Sequence, residues 1–462
     1  MRLKKEITFI GIFSIATGAM ISSGIFILPG IAYAKIGPLI LVSYLLAGVF
    51  ALIGILSTIE LSTAMPKAGG DYFFINKTLG PLMGTIAGLL GWLALSLKSA
   101  FAIFGIAEIL YLFTKINPTV LSFFLCIIFL ILNIVGVKET VKFQIFLVVG
   151  LFSLIVIYIL VGFFKIESQM LFSTLRPYNS KNILSILSIT GFIFISFGGL
   201  LKIASVSEEI KNPKKILPIG IISSIIVVTI SYVFMLIVAI GTLKAPQFAK
   251  SLTPIADSAK IIMGTPGFVI ISFASMLAFV TTANAGIMSA SRYPLALSRD
   301  GLLPKFISGI GKKYHTPITS ILLTGIVIFF SLLLPLEELV KIASTIILSS
   351  YVLTNLSVIV LRESKLVNYK PSFKAPFYPW LQILSIGVFS FFIIDLGVEA
   401  VEIVIAFLIL CILLYFLYGK RHKRGDYAFL YLLKRIVDKN ITGNLEDELK
   451  DILRNRDSED RD

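Results

Sequence analysis

The chain alternates long apolar runs with short polar joins, and the runs have the length of a bilayer crossing. Their approximate cores are 7–34, 37–59, 82–113, 119–136, 141–163, 184–206, 216–241, 267–290, 317–335, 338–361, 379–396 and 399–418. An all-α integral membrane protein with twelve transmembrane helices is expected. The first run, Ile7 to Ala34, carries a polar, glycine-rich patch at its middle, Gly18-Ala19-Met20-Ile21-Ser22-Ser23-Gly24. A helix that only spans lipid gains nothing from Ser-Ser-Gly at midplane. The patch predicts a break whose freed backbone groups meet something polar. Such a break is tolerated only inside a protein bundle or a water-filled cavity.

The sixth run repeats the anomaly. Its stretch Gly191 to Lys202 holds Gly198-Gly199 near the centre. Glycine destabilises a helix interior by roughly 1 kcal/mol relative to alanine, but lets the backbone approach a ligand or another helix. Tight helix packing explains one such pair taken alone. Two interruptions five runs apart, at the start of each half of a possible five-plus-five repeat, point instead to a transport site. A half-helix beginning after Gly24 offers N–H groups and a positive dipole end to a carboxylate. Free carbonyls before a break suit an ammonium group or a cation. A zwitterion fits both ends without a charged side chain.

Composition sharpens the class. Of 462 residues, 57% are hydrophobic and only 15% charged, against roughly 25% charged in soluble proteins. Mean hydropathy is +0.95. The net charge of +15 reads as basic cytoplasmic loops beside anionic lipid, not as a nucleic-acid surface. Lys and Arg concentrate on alternate joins, among them Lys211, Lys214 and Lys215, then Arg362, Lys365, Lys370 and Lys374. Both termini are expected in the cytoplasm of a multi-pass cell-membrane protein. MRLKKE begins like a signal peptide, but the run after it is too long for an h-region and lacks a small-residue cleavage site, so a retained first span is expected. Cys126 and Cys411 lie in apolar runs and His315 and His422 in polar joins, so no metal site or disulfide framework is expected. No phosphate-binding loop of the ATP-driven kind appears, no cofactor is implied, and no catalytic constellation points to an enzyme. Beyond Arg424 the chain turns polar. A short amphipathic helix, a break at Gly443 and a charged end predict a cytoplasmic tail, read as a solvated terminus or as a surface for membrane or a partner.

Several polar residues sit within the runs. Lys98, in the third, is expensive to bury without a partner; it suits a coupling proton, a substrate carboxylate or a structural pair. Lys202 falls at or just below the second interruption. Glu108 is nearer the outer end of the third run. Glu60, at the inner end of the second, suits organisation of a cytoplasmic gate. Thr281, Thr282 and Asn284 in the eighth run suit sodium ligation or interhelical hydrogen bonds.

Four segments together resemble the amino acid–polyamine–organocation transporter superfamily. They are Gly18 to Phe26, Glu60 to Tyr72 (ELSTAMPKAGGDY), Ser207 to Lys215 (SEEIKNPKK) and Ala290 to Pro304 (ASRYPLALSRDGLLP). The resemblance implies a LeuT-like fold of two inverted five-helix repeats, here 7–163 and 184–361. Two further helices at 379–418 and the tail at 419–462 would follow, with helices 1 and 6 discontinuous. It implies alternating-access transport of amino acids or related amines, often proton-coupled. By position, Ser22, Ser23, Gly24 and Ile25 would meet a substrate carboxylate. The carbonyls near Phe197, Gly198 and Gly199 would meet its ammonium, with Phe194 or Ile195 near an aromatic gate. Lys98, Lys202, Thr281, Thr282 and Asn284 are the candidates for ion or proton coupling. Three positions depart from relatives. Ile195 stands where several exchangers have tryptophan, Leu201 where they have glutamate, and Leu151 near a lysine of proton-coupled members. A cation transporter or channel on the same scaffold, and a non-transporting signalling protein, are the alternative readings.

Overall fold

A computed structural model describes residues 7–21, 23–65, 70–136, 141–166, 183–200, 203, 210–311, 313–314, 316–366, 369–419 and 427–437. Ser22, Leu201, Lys202, Glu208, Glu209, His315 and His422 therefore lie outside the described residues, and with them the expectations placed on them.

The described chain is helical. Its first half contains α1 (Phe9–Met20), α2 (Ser23–Phe26), α3 (Leu28–Ile36), α4 (Ile40–Ala64), α5 (Gly70–Leu79), α6 (Pro81–Thr114), α7 (Pro118–Val135) and α8 (Val141–Phe163). The second contains α9 (Ile183–Phe192), a 3-10 turn (Ile193–Phe197), α10 (Pro213–Thr242), α11 (Ala245–Lys250), α12 (Pro254–Ala290), α13 (Arg292–Arg299), α14 (Ile318–Ser331) and α15 (Leu336–Glu363). Then come α16 (Trp380–Asp395), α17 (Val398–Leu417) and α18 (Ala428–Val437). Among the described residues, eight helical stretches are long and apolar enough to cross a membrane, and four shorter apolar helices accompany them. This is a multi-pass, all-α membrane protein.

Local chemistry sets the ends of these helices. Proline begins α6, α7, α10 and α12, where its missing N–H removes no helical bond. Asn117 caps α7 by accepting from the Thr119 N–H at 2.8 Å, and Gly136 closes that helix in a left-handed conformation. The run Pro254–Ala290 is broken at Gly264, with φ 70° and ψ −161°, just before Pro266.

Burial separates centre from rim. The apolar windows of α6 and α15 are 72% buried, against 17% for α17, so α6 and α15 form the middle of the bundle and α17 its edge. α1 packs on α10, and an isolated parallel bridge joins Ile7 to Ile210, with the Lys211 N–H donating to the Ile7 carbonyl at 3.0 Å. The start of the first interrupted segment is thereby pinned to the entry of α10. The first tail helix forms at α18 and docks, contrary to a wholly solvated terminus. Ala428 joins Leu61, Phe74, Val358 and Leu361 in a small apolar cluster.

Candidate functional site

α1 ends at Met20. Ile21 leaves the helix with φ −72° and ψ 84°, its N–H still bonded to the Thr17 carbonyl. α2 restarts at Ser23. The carbonyls around this interruption need donors, because an unpaired buried carbonyl is costly. Three neighbouring helices supply them. Lys98 Nζ on α6 donates to Ala19 O at 2.5 Å, Tyr232 OH on α10 to Met20 O at 2.8 Å, and Tyr44 OH on α4 to Gly24 O at 2.8 Å.

The second interruption follows the 3-10 turn. Gly198 is extended, at φ −64° and ψ 152°, and Gly199 has φ +98°, a conformation natural to glycine. Lys98 Nζ also donates to Gly198 O. One ammonium therefore straps carbonyls from both interruptions. It sits at the C-terminal end of α1, where the helix dipole favours a positive charge.

The interruptions also touch directly. A Cβ at Gly24 would collide with the side chain of Ser196 and approach its Cα to 2.6 Å. A Cβ at Gly199 would lie 3.2 Å from Ala19 O and from Lys98 Nζ. Side-chain-free positions at these two points are what allow the segments to close on one another.

Two small cavities flank the strap. One, about 30 Å³, is lined by Gly18, Lys98, Gln144, Gly199, Thr281 and Thr282, among others. The other, about 20 Å³, lies between Lys98, Gly199, Asp71 and Tyr293. Each has room for about one water, not an amino acid. A larger groove, about 580 Å³ between α1 and α8, has a lining dominated by Ile10, Phe13, Val148 and Phe152. Its apolar wall lacks the partners a zwitterion needs.

The expected residues are distributed unevenly around this centre. Gly24 and Gly199 lie at the meeting of the interruptions, and Gly198 supplies its carbonyl to Lys98. Ile25 and Ile195 are buried. The Phe194 ring packs edge-on against Tyr351 and Phe389, and Phe197 against Tyr232; neither ring lines the two cavities. Thr281 lines the larger of them, yet its hydroxyl donates to Ala278 O in its own helix. Thr282 lines it too, and its buried hydroxyl has no partner among the described residues. Asn284 accepts from Asn133 Nδ2 at 2.9 Å and so ties α12 to α7. Among the described residues no cluster of His, Cys, Asp and Glu could hold a metal ion.

A family model for amino acid permeases matches residues 7–418. The chain belongs to the amino acid permease family. It is 28% identical over 450 residues to the branched-chain amino acid permease of Bacillus subtilis, covering 91% of this chain and 94% of that one. It is 30% identical over 446 residues to the methylthioribose transporter of the same organism, covering 90% and 93%. The serine/threonine exchanger of Bacillus subtilis is 26% identical over 409 residues, covering 85% and 91%. The chain is thus a membrane transporter of amino acids or related small molecules by secondary transport, and not an enzyme.

Some of the permease's polar machinery is absent from the sequence expectations. Tyr44, Tyr232 and Gln144 stand in long apolar runs with no local mark of what they meet. Asp71 and Tyr293 lie inside the second and fourth family-like segments, but only the fold brings them together. Glu60 proves fully enclosed. It accepts from Arg362 Nε at 2.9 Å and Nη2 at 2.5 Å, from Tyr369 OH at 2.8 Å and from the Ala375 N–H at 2.7 Å. It thereby ties the end of α4 to the end of α15 and the segment after it.

Proposed function

We propose that this permease moves an amino acid, or a related small amine, through a site between Ser22–Ile25 and Phe197–Gly199. The fold would be LeuT-like, with twelve spans in which residues 7–163 and 184–361 are inverted repeats. The interruptions at Ile21 and Gly198 would be those of discontinuous helices 1 and 6. Residues 379–418 add two spans, and both termini face the cytoplasm. A core bundle of spans one, two, six and seven rocks against the remaining helices.

The observation that carries this reading is the paired interruption, with one ammonium on the carbonyls of both segments. Those carbonyls are a cradle already matched to an ammonium. Lys98 fills it while the interruptions are closed, and a substrate ammonium takes over when they part. The N-terminal end of α2 receives the carboxylate. The unpartnered Thr282 hydroxyl, with Thr281, marks the position for a coupling ion or an ordered water, while Asn284 serves packing. Lys202 stays in this reading as a second candidate for proton coupling.

The relatives' names span branched-chain amino acids, serine and threonine, and methylthioribose, so all belong in one substrate panel. Uptake into proteoliposomes, with and without a proton gradient, tests the reading. Accumulation or counterflow of at least one amino acid is expected. Transport of none, or transport of a metal cation without organic substrate, sinks it.

A further inference from the structure

One buried ionisable group has been given no role in transport so far. Asp71 stands on α5, outside the candidate spans, and is 1% exposed. Its Oδ1 accepts from Tyr293 OH at 2.9 Å and from the Tyr72 N–H at 3.0 Å. Its buried Oδ2 has no partner among the described residues. The neighbouring Tyr72 donates its OH to Asp300 at 2.6 Å. α5 and α13 are therefore latched by two tyrosine-to-aspartate bonds running in opposite directions.

Asp71 also lines the cavity of about 20 Å³ that reaches Lys98 and Gly199. That space, sized for one water, connects the latch to the strap across the helix interruptions. Among the described residues, the elements next to α5 carry these ionisable groups. α6 presents Lys98 across the cavity and α13 presents Tyr293. α15 presents Tyr351, which feels the Asp71 charge and whose buried hydroxyl has no partner among the described residues. α4 carries Glu60, already engaged by Arg362, Tyr369 and Ala375. On α18, Tyr431 is exposed. Burial pushes the Asp71 carboxyl up to about 6, against the lowering effect of the bonds from Tyr293 and the Tyr72 N–H.

We propose that Asp71 is the loading site of a coupling proton, linked through the one-water cavity to the Lys98 strap. This rests on the transport reading above. Ionised, Asp71 only accepts hydrogen bonds. Protonated on Oδ2, it donates into the cavity while Oδ1 still accepts from Tyr293. A closed, dry latch favours the neutral carboxyl, and an opened, wetted latch favours the carboxylate, because burial penalises charge. Asp71 thus takes a proton from the side of the interruptions while the latch is closed, and releases the same proton when the latch opens. No other bond is made or broken. Proton and substrate move in the same direction.

Two measurements on the full-length protein test this. Infrared difference titration in detergent should show a protonated-carboxyl band that titrates near pH 6 and is lost in Asp71→Asn. In proteoliposomes, Asp71→Asn should lose gradient-driven accumulation and the pH dependence of uptake, yet retain counterflow. Tyr293→Phe should keep the band and raise its midpoint, since it removes a bond that favours the carboxylate; this variant carries the test if Asp71→Asn does not fold. A residue that only braces the latch would lower counterflow and leave the pH profile where it was. The wild-type band or the wild-type pH profile in Asp71→Asn overturns the proposal. If the wild type carries no panel substrate, the transport reading falls and coupling with it, while the infrared titration separately decides whether Asp71 takes the proton.

Discussion

Lys98 Nζ donates to Ala19 O at 2.5 Å from a side chain that is 4% exposed, and the same nitrogen serves Gly198 O. A single α6 residue therefore satisfies one carbonyl from each interruption. Replacing it by methionine keeps the apolar stem and removes every donor. Two buried carbonyls are left bare, at about 1–3 kcal/mol each. Lys98→Met should lower thermal stability in detergent by several degrees and weaken substrate counterflow. Lys98→Arg, which restores charge and donors but not the compact shape, should recover stability better than transport. Wild-type melting in Lys98→Met would show that the strap contributes little.

Gly24 lies against Ser196 so closely that an added Cβ has no space. Gly24→Ala should destabilise the closed arrangement by about 1–3 kcal/mol, the usual range for overpacking. Ser196→Gly should relieve part of this, because Cβ and Oγ disappear. The rescue stays incomplete, since the Ser196 Cα would still lie 2.6 Å from the new Cβ. A double-mutant cycle on melting temperature and transport checks the pair. Additive effects would mean that the two segments do not meet here.

What the sequence made readable follows from how far each signal reaches. Apolar runs of spanning length are local, so helices fall where 82–113 and 141–163 were expected, at Pro81–Thr114 and Val141–Phe163. The interruption near Ser22-Ser23-Gly24 is local too, because Ser and Gly are poor choices for a lipid-spanning helix. Partners are not local. The sequence marks Lys98 as a costly charge, but its acceptors, Ala19 and Gly198, are 79 and 100 residues away. Phe194 sits beside the second interruption in sequence, yet its ring turns into the Tyr351–Phe389 cluster. The amphipathic pattern of α18 left a solvated tail and a docking surface both open, and only the fold shows that its Ala428 finds apolar company on α4, α5 and α15.

Ion pairs at two places should respond very differently to neutralisation. Glu60 is 0% exposed and bound through both oxygens to Arg362. Glu60→Gln leaves a largely enclosed guanidinium without its counter-charge, and breaking a buried pair this way destabilises by about 3–5 kcal/mol; the partial exposure of Arg362 puts the expectation at the lower end. Lys35 pairs with Glu337 with more than a third of each side chain exposed. Glu337→Gln should change stability by about 1 kcal/mol or less. Thermal unfolding of both variants in one detergent compares them. A larger effect at Glu337 would reverse the ranking.

Asp71 also gives stability a pH dependence of definite sign. Its folded value of about 6 is above the ordinary 3.8, so the native state holds the proton more tightly than the unfolded chain. The stabilisation is fully present below the unfolded value and is lost as pH rises through about 6. Asparagine mimics the neutral carboxyl in shape and cannot ionise. Asp71→Asn should therefore gain stability on the wild type from about pH 6 upward, and the gap should narrow as the solution is made more acid. Melting curves of wild type and variant over that range measure the gap directly. A gap that stays constant from the ordinary value of 3.8 to about 6 would mean that folding does not raise the Asp71 value, whatever its role in the latch to α13.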